Sequence, residues 1–148
     1  MASTIYRGSK PDPVGLLPRL PRTVPLCIRA RLEKPELGES VLPLAKAFGR
    51  LQRASALVAQ KGLADPEEAA AAATDFLRLF GLVAYAFLWT RMAEIALGKT
   101  DGPDAAFYKG KLATARFFMA RPLPESTALF AQIGAGAKTL MALEAEAV

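Results

Sequence analysis

The chain has 148 residues, which is the length of one domain and enough to bury a hydrophobic core. It contains no histidine, so a Ser-His-Asp triad and a histidine metal site within these 148 residues are excluded. Its single cysteine, Cys27, has no second cysteine for an intramolecular disulfide. The formal net charge of +5 lies in residues 1–32, and the rest of the chain is neutral.

Residues 1–38 are predicted to be an irregular, proline-rich basic tail. Seven of the eleven prolines lie at or before Pro43, and each removes a backbone donor and disfavours helix in the residue before it. A basic tail can contact nucleic acid, anionic lipid or an acidic protein, but this one lacks interleaved aromatic residues and any nucleic-acid-binding motif. We therefore expect a solvated tail, no nucleic-acid partner, and a helical domain over residues 39–148. Cys27, between Leu26 and Ile28, is expected to be a small buried hydrophobe.

The first helix of that domain is predicted to run from Ser40 to Lys61. Apolar residues recur there at intervals of three and four, which is typical of a helix with one apolar face. Ser40 is a candidate N-cap. Gly62 is expected to end the helix in a left-handed conformation.

The second helix is predicted to begin at Asp65 and Pro66. An aspartate cap, a proline at the first helical position and carboxylates in the first turn are a strong start signal. Apolar and helix-forming residues then continue to Leu97, and Gly98 is the expected stop.

Two further helices are predicted, over about Pro103–Ala120 and Pro124–Leu143, separated by prolines. The Gly134 and Gly136 pair weakens the last helix, and close approach of a neighbouring helix would account for it. Short loops between four helices favour an antiparallel four-helix bundle. The predicted fold class is therefore all-α, with the irregular basic tail in front.

The sequence predicts no membrane-spanning segment. The longest uncharged apolar stretch, residues 79–90, lies between Arg78 and Arg91, and a spanning helix needs about 18 or more apolar residues. The N-terminus lacks the apolar region of a signal peptide, and its prolines would break the amphipathic helix of a transit peptide. We therefore expect a cytoplasmic protein with no membrane partner.

The helical part of the chain resembles a known family. The runs are TDFLRLFGLVA at 74–84, WTRMA at 89–93, FYKGKLATARFF at 107–118, LPEST at 123–127 and GAKTLM at 136–141. In order and spacing they resemble the helical C-terminal extension of a subgroup of acyl-CoA dehydrogenases that includes enzymes acting on 3-methylthiopropionyl-CoA. The resemblance covers about residues 41–148.

The N-terminal run STIYRGS at 3–9 is similar to the stretch that carries the catalytic glutamate in these flavoenzymes. In the family, that carboxylate removes the α-proton of the acyl thioester while the flavin takes the β-hydride. The matching residue here is Arg7, whose guanidinium stays protonated and cannot act as that base. After Gly8 the likeness stops until about Val41, which fits a truncated or frame-shifted reading of a longer gene.

The resemblance implies a packing domain that supports a flavoenzyme core of fatty acid metabolism and helps subunits associate. FAD is the cofactor of the parent family, whereas for this chain alone we assign no cofactor and no catalytic, cofactor-binding or metal-binding residue. The expected partner is an acyl-CoA dehydrogenase core or a second copy of the chain. Two alternatives stay open: a subunit that completes a split dehydrogenase in trans, and an independent helical interaction module whose basic tail binds an acidic partner.

Several single residues of the helices invite a specific interpretation. Arg78 and Arg91 are expected to cover apolar surface with their stems or to pair locally with Asp75 and Glu94, at a spacing of three residues. Trp89 lies off the aromatic stripe and is a candidate for a partner contact. The stripe itself is assigned to the core, and a set of basic residues to a solvated face; these are Phe76, Phe80 and Phe87, and Lys109, Lys111 and Arg116.

Overall fold

The computed structural model describes residues 20–32, 35–140 and 142, and every regular element among them is helical. The prediction of an all-helical chain is therefore confirmed over the described residues. Within these described residues, five α-helices and two short 3₁₀ turns follow one another. They are α1 (Leu20–Leu32), a 3₁₀ turn (Pro35–Leu37), α2 (Gly38–Ala64), α3 (Pro66–Leu97), α4 (Ala105–Ala120), a second 3₁₀ turn (Leu123–Glu125) and α5 (Ser126–Ala135).

The long helices α2 and α3 form a hairpin, and the two shorter helices α4 and α5 both pack against it. Lys111 of α4 lies over the Trp89 ring in the second half of α3. Gly134 at the end of α5 instead accepts a hydrogen bond from Lys61, beside the turn of the hairpin. Because α4 and α5 contact different parts of the hairpin, the predicted antiparallel four-helix bundle is not confirmed.

Prolines at the α4–α5 junction explain this arrangement. Pro122 and Pro124 cannot donate backbone hydrogen bonds, so the chain leaves α4 after Ala120 and makes a 3₁₀ turn before α5 begins. Leu123 between them is buried in the main core. The junction is therefore fixed by tertiary packing, with two short helices placed along one hairpin.

The main hydrophobic core lies between the α2–α3 hairpin, α4 and α5. Its most buried large side chains are Leu44, Leu79 and Leu129, which have almost no solvent-exposed surface. A smaller cluster, near the start of α2 and the end of α3, contains Leu37, Val41, Ala93 and Ala115. In α2 the apolar periodicity places Val41 and Leu44 on the inner face of the helix.

Residues 20–32 form α1, which corrects the expectation of an irregular segment over that part of 1–38. Val24 is fully buried in the main core, and Arg31 forms a salt bridge with Glu94 of α3. These tertiary contacts stabilise a helix that contains Pro25 and that local propensity disfavours. Cys27 is half-buried against the same core, close to its predicted role. Residues 1–19, with the Arg7 position, and residues 33–34 lie outside the described residues.

The start of α3 matches the sequence, whereas the ends of α2 do not. The Asp65 side chain accepts a hydrogen bond from the Glu67 amide at 2.9 Å, and α3 ends at Leu97 before Gly98. By contrast, Ser40 is a buried residue inside α2 and does not cap it. Gly62 lies within the last turn of the same helix, so it is not the predicted left-handed stop.

The last helix is shorter than predicted, because α5 ends at Ala135. Gly136 follows it with φ 75° and ψ −174°, a conformation that leaves the helix and is open essentially to glycine alone. The expected close approach of a neighbouring helix at Gly134 is wrong, since a Cβ there would meet open space. At Gly136 the close neighbour is the Glu68 carboxylate of α3.

Candidate docking surface

The helix α3 is apolar on both its inner and its outer sides. Its inner side is the core face, which includes Leu79, Val83 and Thr90. A helix of a small soluble domain normally presents polar residues opposite its core face. The opposite side of α3 instead exposes four large hydrophobic residues, which we call the outer face: Leu77 (70% exposed), Tyr85 (61%), Leu88 (48%) and Ile95 (57%).

The exposed hydrophobic residues of the outer face follow one side of the helix. Leu77, Leu88 and Ile95 fall at spacings that return to one side of an α-helix over about five turns. Small or apolar residues also lie on that side: Gly81, Ala84 and Met92. The exposed Arg91 lies there as well, one turn from Leu88 and from Ile95, with its guanidinium over the Phe87 ring. From Leu77 to Leu88, α3 therefore presents an apolar surface about 16 Å long, from a rise of about 1.5 Å per residue.

The same property gives α3 the length and composition of a helix that could cross a membrane. Only 28% of its most apolar 18-residue stretch is buried within the chain. The core helix of a soluble protein has the same length and composition, so this feature is weak support for a membrane span. The expectation of no membrane partner stays a prediction.

Aromatic residues extend the apolar surface from α3 toward α4. The Tyr85 ring lies 6.3 Å from the Phe118 ring, tilted by 52°. Beside it the Lys111 ammonium lies between two rings, 5.7 Å from the centroid of Trp89 and 5.3 Å from that of Phe107. Such cation–π contacts stabilise by about 0.5–1 kcal/mol at exposed sites. The edge of the outer face is therefore aromatic and basic, without an acidic residue in these contacts.

The two arginines of α3 do not form the predicted local pairs with Asp75 and Glu94, whereas Arg91 covers an aromatic ring as the other interpretation predicts. Arg78 forms a salt bridge with Glu125 of the second 3₁₀ turn, rather than with Asp75. The Arg91 guanidinium lies over the Phe87 ring at 5.9 Å from its centroid. Glu94 pairs with Arg31 of α1. The arginines and Glu94 thus connect α3 to distant parts of the chain or cover its apolar surface.

The aromatic residues of α3 divide largely as predicted. Phe87 is buried, and Phe76 and Phe80 are half-buried against the main core, which confirms their assignment. Trp89 is also half-buried and packs against both clusters under Lys111, so it does not point freely toward a partner. The exposed aromatic residue on the outer face is Tyr85, which was not predicted from the sequence as a candidate for a partner contact. An apolar helix with no polar stripe was the signal that could have identified it.

The basic residues assigned to a solvated face have mixed environments. Lys109 and Arg116 are exposed, and Arg116 pairs with Glu39 of α2 at 2.7 Å. Lys111 is half-buried between aromatic rings. The assignment to a solvated face therefore holds for Lys109 and Arg116 but not for Lys111.

The comparisons with known proteins identify the family of the chain. The family model described as acetyl-CoA dehydrogenase C-terminal like matches residues 26–144, from within α1 to beyond α5. No curated protein matches the chain closely enough to serve as a relative. The matched range contains α2 to α5 and both hydrophobic clusters except Val24, and it is well over half of the chain. The chain therefore belongs to the acetyl-CoA dehydrogenase C-terminal-like domain family.

Proposed function

We propose that this chain is the C-terminal packing and association domain of an acyl-CoA dehydrogenase-like flavoprotein, of the subgroup that includes 3-methylthiopropionyl-CoA dehydrogenases. It docks through the outer face of α3 on the flavoenzyme core and is inactive alone. The observation that carries the proposal is the row of exposed hydrophobic residues on the outer face of α3, within a domain of this family. Contiguous exposed apolar surface of this kind marks an interaction site.

An energy comparison supports docking within a larger protein over free association. Fully burying a large apolar side chain contributes about 1.5–3 kcal/mol, so covering the four half-exposed residues of the outer face contributes on the order of 5 kcal/mol. Free association costs an estimated 4–15 kcal/mol, roughly, in lost motion. The face alone is therefore weak for two free proteins. It is sufficient where a linker already holds the domain beside the core.

The chemistry of the parent family belongs to that core. A flavin ring needs a concave apolar site with a few placed polar groups, whereas the outer face of α3 is the convex surface of one helix. The outer face therefore does not fit the flavin of FAD. In this proposal the chain contributes rigidity and contact area to the flavoprotein and takes no part in the proton or hydride transfer.

Coexpression tests the proposal directly. The chain is produced with an acyl-CoA dehydrogenase core from the same genome, and their co-elution and the flavin content of the complex are measured. Leu88→Glu places a charge in the middle of the outer face and is expected to abolish co-elution. Leu63→Glu is the matched control, because Leu63 is 90% exposed at the end of α2, away from this face.

Two results would overturn the proposal. Equal co-elution of the Leu88→Glu and Leu63→Glu variants would remove the outer face from the interface. Flavin bound to the chain alone, with acyl-CoA-dependent dye reduction, would show that it is not merely a packing domain. A subunit that completes a split enzyme in trans would use the same face. Sequencing upstream of the gene distinguishes this subunit from a fragment of a longer enzyme. A flavoenzyme core in the same frame or across a frameshift indicates a fragment, and a separate companion reading frame indicates a split enzyme.

A further inference from the structure

A groove lies between the first half of α2 and the α4–α5 junction. Its volume is about 540 Å³, which is within the range of small-molecule sites. Apolar side chains form most of its wall: Leu42, Pro43, Met119, Leu123 and Pro124. Its place in the fold is separate from the outer face of α3.

Two basic side chains enter this groove from the same side of α2. Lys46 and Arg50 are one helical turn apart and both line it. Neither forms a salt bridge with an acidic residue in the described part of the chain. Arg50 donates a hydrogen bond to the hydroxyl of Ser126 at 3.3 Å, a contact that involves no acidic group. The acidic residue at the groove, Glu39, is already paired with Arg116.

The start of α5 closes the groove. Ser126 and Thr127 are the first two residues of this ten-residue helix, and both line the groove. The 3₁₀ turn leads directly into α5, and the Ser126 backbone N–H already donates to the carbonyls of Leu123 and Pro124. Ser126 is fully buried, so its side-chain bond to Arg50 holds the guanidinium against the base of the groove. Lys46 and the anchored Arg50 therefore favour negative charge at one end of an apolar groove.

We propose that this groove binds an amphipathic anion, which is a carboxylate or phosphate group attached to an apolar chain. The anionic group lies against Arg50 and Lys46, and the apolar chain covers Leu42 and Met119. A small inorganic anion would leave the apolar wall exposed to water. A neutral apolar molecule would leave the two cations uncompensated. The combination of both surfaces selects a ligand that carries both.

The test uses defined probes on the full chain. Sodium decanoate, decyl phosphate, decanol and inorganic phosphate are titrated below micelle formation, with binding followed by calorimetry and by amide NMR signals. We expect decanoate or decyl phosphate to bind and to shift the amides of Leu42, Ser126 and Thr127. Decanol and inorganic phosphate are expected to bind at least about tenfold more weakly, because each satisfies only one half of the groove. Comparison of the two decyl anions identifies the preferred head group.

Variants of α2 locate the charge that binds. Arg50→Gln is expected to weaken binding about tenfold or more, the usual scale of one charge-assisted hydrogen bond, and Arg50→Lys to retain part of it. Arg53→Gln is the matched control on the same helix, since Arg53 lies over the Phe130 ring outside the groove. Should Arg50→Gln fail to fold, Lys46→Gln, on an exposed residue, gives the same comparison.

The inference is overturned by any of three outcomes. One is the absence of saturable binding of both decyl anions up to millimolar concentration. Another is decanol or inorganic phosphate binding as tightly as the decyl anions. The third is equal loss of binding in Lys46→Gln, Arg50→Gln and Arg53→Gln. None of these measurements depends on a flavoenzyme partner, so the inference fails or stands separately from the proposed function.

Discussion

The Glu68 carboxylate in the first turns of α3 accepts a hydrogen bond from the backbone N–H of Ala137 at 3.2 Å, across 69 residues of chain. Its other oxygen lies 3.2 Å from the Lys61 ammonium at the end of α2. Lys61 also donates to the carbonyl of Gly134. One carboxylate therefore joins the turn of the α2–α3 hairpin to the end of α5.

These contacts make the stability of the chain depend on pH. The Ala137 amide and the Lys61 ammonium hold the pKa of Glu68 below its ordinary value. A carboxyl whose pKa is lowered by folding stabilises the protein above its unfolded-state pKa, of about 4.3, and loses that contribution as the pH falls through its folded value. We expect wild type to have a higher Tm than Glu68→Gln at pH 7, and the difference to shrink below about pH 4.

Glu67→Gln is the control for that measurement, because Glu67 is exposed and its recorded contact is through its backbone amide. Its Tm difference from wild type is expected to stay small at all pH values. A Glu68→Gln difference that is absent at pH 7, or that grows on acidification, would contradict the role assigned to Glu68.

Substitution of the two glycines near the end of α5 should have opposite effects. At Gly136 the positive φ strains any L side chain, and a Cβ would lie 2.6 Å from Glu68 Oε2. Gly136→Ala is therefore expected to destabilise the chain by about 1–3 kcal/mol. At Gly134, in open space inside the helix, Gly134→Ala is expected to stabilise by up to about 1 kcal/mol. Urea unfolding of both variants measures this, and equal signs would refute the assignment.

The caps of α3 and α4 provide a second matched pair. The Asp65 side chain caps α3, whereas Asp104 stands before α4 without a side-chain hydrogen bond to it. Asp65→Ala is expected to lower the free energy of unfolding by about 1 kcal/mol. Asp104→Ala should change it by less than about 0.5 kcal/mol. Chemical denaturation distinguishes the two, and a larger loss for Asp104→Ala would show that the cap is misassigned.

The two sides of α3 should respond differently to truncation of a leucine. Leu79 is fully buried, so Leu79→Ala is expected to cost about 2–5 kcal/mol of stability. Leu77 is 70% exposed on the outer face, and Leu77→Ala should cost less than about 0.5 kcal/mol in the isolated chain. Thermal unfolding at two protein concentrations measures both. A large, concentration-dependent effect of Leu77→Ala would show that the outer face is already covered by a second copy.

Some parts of the fold followed from local sequence. The Asp65-Pro66 start of α3 and its end before Gly98 were predicted correctly, because a cap and a proline at the first helical position act within one turn of the chain. The all-helical class followed from composition and periodicity. The family resemblance rested on runs of residues in α3, in α4 and on either side of α5, and the family match confirms it at the level of the domain.

Other features were decided only by tertiary structure. The helix α1 forms in a proline-rich segment because Val24 enters the core and Arg31 meets Glu94, contacts that no local pattern reveals. The pairing of Arg78 with Glu125 likewise joins residues 47 apart in sequence. The sequence of α3 is apolar on both sides, so only the packing of α2, α4 and α5 against it determines which side is buried and which side is the outer face. Local hydrogen bonds determine where helices begin, whereas burial of apolar surface between distant segments determines which of their faces remain for a partner.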